Sequence, residues 1–206
     1  MSHWVKYDPS RGTLDPDGDG RSWQGPAGRG RAAMRGLLIF LLPLASMFAL
    51  VISAYMMRRH VGDWQPIPLP WQVWLSTVLL VGSSIAFEVA RRAAALGHIH
   101  DIRRGLLGTG VLAVAFLGSQ LWAWFHLQEQ GYYLAANPAN SFFYLMSGLH
   151  GLHLIAGLVA WSKTRSALTG GADVASVQLY VQLCAIYWHF LLVVWLLLFG
   201  VLFWVS

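Results

Sequence analysis

The chain of 206 residues is 56% hydrophobic and only 11% charged, where a soluble domain carries about 25% charged residues. Its formal net charge of +5 is spread over short connections between apolar stretches, which argues against nucleic-acid binding and for a membrane protein oriented by its cations. The single cysteine, Cys184, excludes a disulfide framework and a cysteine-based metal site.

Residues 1–33 are polar, rich in Gly and Pro and without periodicity; they read as a flexible tail ahead of a membrane domain over 34–206. No apolar segment opens the chain, so the first membrane helix is expected to direct insertion. Asp15-Pro16-Asp17-Gly18-Asp19-Gly20 imitates the opening of an EF-hand loop. The match then fails, because Pro26 stands at the twelfth position, where a bidentate Glu is needed, and the stretch reads as an acidic linker.

Five apolar stretches follow, each able to cross a bilayer, and the fold class is an all-α bundle of five transmembrane helices. The first, Gly36–Met57, carries Pro43, which a membrane helix tolerates where a neighbour satisfies the freed carbonyl. Arg58, Arg59 and the proline-rich stretch from Trp64 to Trp71 make a stiff loop with interfacial tryptophans. The second span, Val73–Ala94, includes Arg91 and Arg92 at its end. A short loop with His98, His100, Asp101, Arg103 and Arg104 leads to the third, Gly105–His126. Asn137-Pro138-Ala139-Asn140 caps the fourth, Ser141–Trp161, and the fifth is Val177–Trp204. With the N-terminus inside, twelve of the 14 Lys and Arg lie on the inner side and only Arg58 and Arg59 outside, which predicts an inside N-terminus and an outside C-terminus.

Few polar groups lie within the spans. Glu88 is the only carboxylate, with Arg91 and Arg92 at i+3 and i+4, a spacing that pairs charges on one helix face. An interfacial ion pair is the simpler reading, a proton relay the alternative. His150 and His153 share a face of the fourth span, roughly 15 and 20 Å from its outer end, and His189 lies roughly 18 Å from the inner end of the fifth. The rings can therefore meet near the midplane, and ligation of a haem by two imidazoles is one option. Neutral rings bonded to each other, to Ser147 or Tyr187, or to backbone carbonyls are the other. No carboxylate is expected nearby to orient a ligating histidine, so packing is the expectation and no metal is assigned. Trp188 and Trp195, seven residues apart, fit a helix-packing seam. Ser83 and Ser84 are expected to bond to the preceding turn or to a neighbouring helix. No nucleophile–base pair, phosphate loop or acid pair is present, and no catalytic residue is assigned.

At these residues the chain resembles a known family. The run Phe143-Tyr144-Leu145-Met146-Ser147-Gly148-Leu149-His150-Gly151-Leu152-His153, followed by Gly157, looks like the penultimate helix of subunit III of the haem–copper oxidases. Tyr187-Trp188-His189-Phe190, then Val193-Val194-Trp195 and Phe199, resembles that subunit's last helix. Leu75-Ser76-Thr77-Val78-Leu79-Leu80 with Ser83-Ser84 is similar to a third block. The resemblance covers residues 36–206 and implies a short, five-helix form without the two extra N-terminal helices of longer members. It implies a non-catalytic subunit of a respiratory terminal oxidase, in which oxygen reduction is coupled to proton pumping. Haem and copper would belong to subunit I, the main partner, and phospholipid would be held in a cleft. The first and second spans would make much of the contact with subunit I. His150, Gly151, His153, Gly157, Tyr187, Trp188, His189 and Trp195 would serve packing against lipid or subunits. An accessory subunit of a related nitric oxide reductase and a bis-histidine b-type cytochrome are the alternatives. The sequence departs from the family at two buried acids: Leu42-Pro43-Leu44 stands where a glutamate is common, and Leu192 where an aspartate is. Both departures weigh against an acid-based proton role.

Overall fold

The computed structural model describes residues 6–8, 13–15, 26–62, 64, 68–135, 137–170 and 173–205. Within the stretch read as a tail, β1 (Lys6–Asp8) and β2 (Thr13–Asp15) pair antiparallel, with Tyr7 opposite Leu14. All but the first residue of the EF-hand-like run lies outside the described residues. The membrane domain is helical: α1 (Pro26–Arg58), α2 (Trp71–Leu96), α3 (Ile99–Glu129), α4 (Pro138–Thr169) and α5 (Val174–Val205). Each is long and apolar enough to cross a membrane.

The helices overrun the apolar stretches because backbone caps, not hydropathy, end a helix. α1 reaches back to Pro26, eight residues into the expected tail, and runs unbroken through Pro43. At the end of α2, Gly97 takes a φ of 74°; its N–H reaches Ala94 O at 3.3 Å and the N–H of His98 reaches Ala93 O at 3.0 Å, closing the last turn. The next helix starts at once. Most of the expected loop, His100 to Arg104, is therefore the first turn of α3 rather than a connection. At α4 the cap is the expected one: the Asn137 side chain accepts from the Ala139 N–H at 3.0 Å, and Pro138 fits the first turn.

α2 packs on α3 and α5, α4 on α3 and α5, and α1 on α5 and α4. Consecutive helices are thus neighbours except the first two, since α1 lies across α5 from α2. The segment joining them, 59–70, is long enough to pass a helix about 10 Å wide. α2 and α3 cross with backbone close to backbone at Gly105, where a Cβ would sit 2.8 Å from Ala90 Cβ and 2.9 Å from Ala86 O. We call the end holding Arg91, Arg92, Arg103, Arg104, Lys163 and Arg165 the basic end. α1 meets α4 toward the opposite end through Phe48 and Tyr55, both buried, with Phe48 against His153 at 5.4 Å and Tyr55 against Phe142 at 5.6 Å.

Candidate functional site

Polar side chains are costly within apolar surroundings unless paired, and this chain concentrates them along one face of α2. Gln72, Ser76 and Ser83 are buried there, at steps of four and seven that return to the same side of a helix, while Ser84, also buried, lies about 100° round from Ser83. Ser83 joins three helices: its hydroxyl donates to Thr109 O on α3 at 3.0 Å and accepts from Trp188 Nε1 on α5 at 3.0 Å. Thr109 Oγ1 in turn lies 3.4 Å from Ser83 O and donates to Gly105 O of its own helix at 2.9 Å. Toward the opposite end, Gln120 Nε2 of α3 donates to Ser76 Oγ at 2.6 Å, and Trp195 Nε1 of α5 donates to Thr77 Oγ1 at 3.0 Å. Trp188 and Trp195 are fully buried. Both indoles of α5 thus bond to hydroxyls of α2.

The histidines do not converge. His150 is fully buried, packed against Trp195 at 5.1 Å, Phe116 at 5.7 Å and Phe48 at 6.4 Å. Neither ring nitrogen has a hydrogen-bond partner among the described residues, contrary to the expectation that a hydroxyl or carbonyl would receive it. Ser147, the candidate hydroxyl, instead donates to Phe143 O at 2.7 Å and accepts from Trp124 Nε1 at 3.0 Å. His153 lies one turn on and donates through Nδ1 to Leu149 O at 2.7 Å. Its own carbonyl accepts from the Tyr187 hydroxyl at 3.0 Å, tying α4 to α5. Gly157 makes that approach possible, since a Cβ there would meet Tyr187 Cε1 at 3.0 Å and Trp188 Cζ3 at 3.3 Å. Gly151 is less confined, with Leu117 Cδ2 at 3.6 Å from its virtual Cβ.

His189 stands apart, toward the basic end. Its Nδ1 shares a 2.6 Å hydrogen bond with Ser84 Oγ, and its Nε2 lies 3.5 Å from Glu88 Oε2. A carboxylate is therefore beside one of the three rings, which corrects the expectation of none nearby. The sequence hid it because residues 88 and 189 come together only across the α2–α5 contact. Glu88 accepts from Arg91 Nε and Nη2, both at 2.7 Å, and from Arg92 Nε at 2.9 Å. Arg91 is bidentate and 43% exposed, and Arg92 is 74% exposed, the geometry of a partly solvated ion pair.

Other residues of this core carried weaker signals. Gln120 and Thr109 are mid-span polar groups whose spacing from Ser76 and Ser83 is invisible until α2 and α3 are aligned. Trp161 closes α4 on α3: its Nε1 donates to Leu106 O at 2.9 Å, and its ring occupies the space beside Gly110, 2.5 Å from a virtual Cβ. At the positions of the two absent acids, Leu42 and Pro43 face outward, Leu44 is buried, and Leu192 packs on the core. Between α1, α4 and α5 lies a cleft of about 570 Å³. Its walls are mostly apolar, among them Leu37, Phe40, Ala156, Ala160 and Leu183, with Lys163 at the basic end. The arrangement holds helices in register and leaves an apolar cleft between α1, α4 and α5.

Comparison with known proteins gives the same direction. The profile of the family described as cytochrome c oxidase subunit III matches residues 35–206, which takes in all five helices. The chain is 30% identical over 182 residues to a probable cytochrome c oxidase subunit 3 of Nocardia farcinica, covering 83% of this chain and 87% of that one. Cytochrome c oxidase subunit 3 of Thermostichus vulcanus is 30% identical over 177 residues, with 82% and 85% covered. That of Synechocystis sp. is 31% identical over 176 residues, with 81% and 72% covered.

Proposed function

This chain belongs to the cytochrome c oxidase subunit III family, and from that membership we propose how its bundle serves the complex. It is an accessory subunit of a haem–copper oxidase of the respiratory chain and a multi-pass membrane protein. The nitric oxide reductase and b-type cytochrome readings are not favoured, since the matched relatives are named as oxidase subunits.

The reading is that the chain contributes no redox centre and acts by packing. Haem and copper reside in subunit I, the main partner, which covers outward faces of α1 and α2. Supporting this are the large apolar side chains that those faces expose, such as Leu42 and Leu50 on α1 and Val78 and Ile85 on α2. A permanent interface of that kind usually buries over about 2,000 Å² in total. The α1/α4/α5 cleft takes phospholipid acyl chains, with Lys163 beside the headgroup; its apolar walls and single cation support this. His150, Gly151, His153, Gly157, Tyr187, Trp188, His189 and Trp195 keep the helices in register, while Glu88 with Arg91 and Arg92 forms an ion pair at the membrane surface. The N-terminus lies on the cytoplasmic side of a bacterial inner membrane, as the distribution of cations favours.

The match over 35–206 carries the reading. The test is purification of the tagged full chain from its own membrane in mild detergent. A catalytic haem–copper subunit should accompany it in equal amount, and the chain separated from that subunit should show no haem absorption. A chain that stays monodisperse alone and fails to bind the catalytic subunit, or that carries stoichiometric haem itself, would refute it.

A further inference from the structure

At the basic end, α3 and α4 enclose a second pocket of about 270 Å³, lined by Arg103, Leu106 and Leu107 from α3 and by Arg165, Leu168 and Thr169 from α4. It shares no lining residue with the larger cleft. One lining residue, Leu106, is tied through its carbonyl to the Trp161 indole, which is wedged beside Gly110. The Arg165 guanidinium lies over that ring, 5.7 Å from its centroid, a cation–π contact. Among the described residues neither Arg103 nor Arg165 is paired with a carboxylate. Asp101, in the same stretch of α3, faces His98 at 3.7 Å.

Two guanidiniums lining one pocket repel each other unless an anion lies between them, and their planar forks suit tetrahedral oxyanions. The remaining walls are mainly leucine. The pocket lies where spanning helices emerge, with two arginines in its lining, as expected at headgroup depth. We propose that this pocket binds the phosphate group of an anionic phospholipid, with Arg103 and Arg165 on its oxygens and Leu106, Leu107 and Leu168 against the first methylenes of the acyl chains. The chemistry recognised is phosphate; the leucines favour a headgroup over free phosphate, and basic pockets between membrane helices are a general mode of lipid recognition. It requires only the membrane-spanning bundle, not the accessory role assigned above.

The full chain, stripped of lipid in mild detergent, is titrated with phosphatidylglycerol, phosphatidylcholine or inorganic phosphate, and adducts are counted by native mass spectrometry. Phosphatidylglycerol should fill a site tighter than phosphatidylcholine does. In the Arg103→Gln/Arg165→Gln double variant its Kd should rise roughly tenfold or more, the factor set by losing one charge-assisted hydrogen bond. Arg35→Gln/Arg104→Gln removes as much charge from described residues outside the pocket and should leave Kd within about twofold. Equal losses in both variants, or no loss in the first, would overturn the proposal. Displacement of the lipid by inorganic phosphate of equal or greater affinity would overturn the assignment to a headgroup. Where the first variant loses helix content, Arg103→Lys/Arg165→Lys takes its place: charge is kept, the fork is lost, and an unchanged Kd counts against the site.

Discussion

The crossing of α2 and α3 at Gly105 offers the sharpest test of the packing. In Gly105→Ala the new methyl carbon would stand 2.8 Å from Ala90 Cβ and 2.9 Å from both Ala86 O and Ala90 N. Comfortable separations between carbon atoms are about 3.5–4.0 Å, so the helices must part by roughly 0.7 Å or more. Two of the three obstructing atoms belong to the α2 backbone and cannot turn aside. A gap of about 0.5–1 Å forfeits a quarter to a half of each dispersion contact it opens. The parting also lengthens the hydrogen bond from Ser83 Oγ to Thr109 O, one turn away and now 3.0 Å. Overpacking of this kind costs about 1–3 kcal/mol. The assay is equilibrium unfolding of the full chain in mixed detergent micelles, followed by far-UV circular dichroism. Gly118→Ala is the control, because nothing lies within 4 Å of a Cβ there; it should be neutral or stabilising by up to about 1 kcal/mol, as for glycine in a helix interior. If the two variants unfold alike, the close approach of α2 and α3 is not what holds this bundle.

Three further outcomes follow from the same contacts. Trp195→Ala removes a fully buried indole and its bond to Thr77; it should cost about 3–5 kcal/mol, weakening retention in the complex while leaving the metal centre's spectrum intact. Ser83→Ala leaves the Trp188 N–H without its acceptor and should cost about 1–3 kcal/mol, against about 0.6 kcal/mol for Ser84→Ala, which loses one bond between membrane helices; both are read by the same unfolding assay, and the reverse order would contradict the bridging role of Ser83. Glu88→Gln disturbs a half-exposed ion pair, so a stability change of about 0–1 kcal/mol is expected, and turnover of the assembled complex should stay within about twofold; a collapsed initial rate with normal assembly would mark Glu88 as a proton carrier.

The sequence by itself determined the five spans, the cap at Asn137, the ion-pair spacing of Glu88 with Arg91 and Arg92, and the face shared by Trp188 and Trp195. Each is a local property: apolar run length, a capping residue before an apolar run, or a repeat of three, four or seven residues on one helix. It did not determine where the helices ended, because Gly97 stops α2 and α3 restarts within two residues, whatever the polarity of His98 to Arg104. Partners across helices were beyond it altogether. That Ser83 serves α3 and α5 at once, that His189 meets Ser84 and Glu88 while His150 lies among aromatic rings, and that α1 passes α2 to pack on α5 are decided by how the helices stack. In a bilayer that stacking is selected by close backbone approach and by pairing of polar groups rather than by hydrophobicity, which is nearly uniform along these helices. A glycine such as Gly105 therefore acquires its meaning only from the atoms of α2 that lie against it.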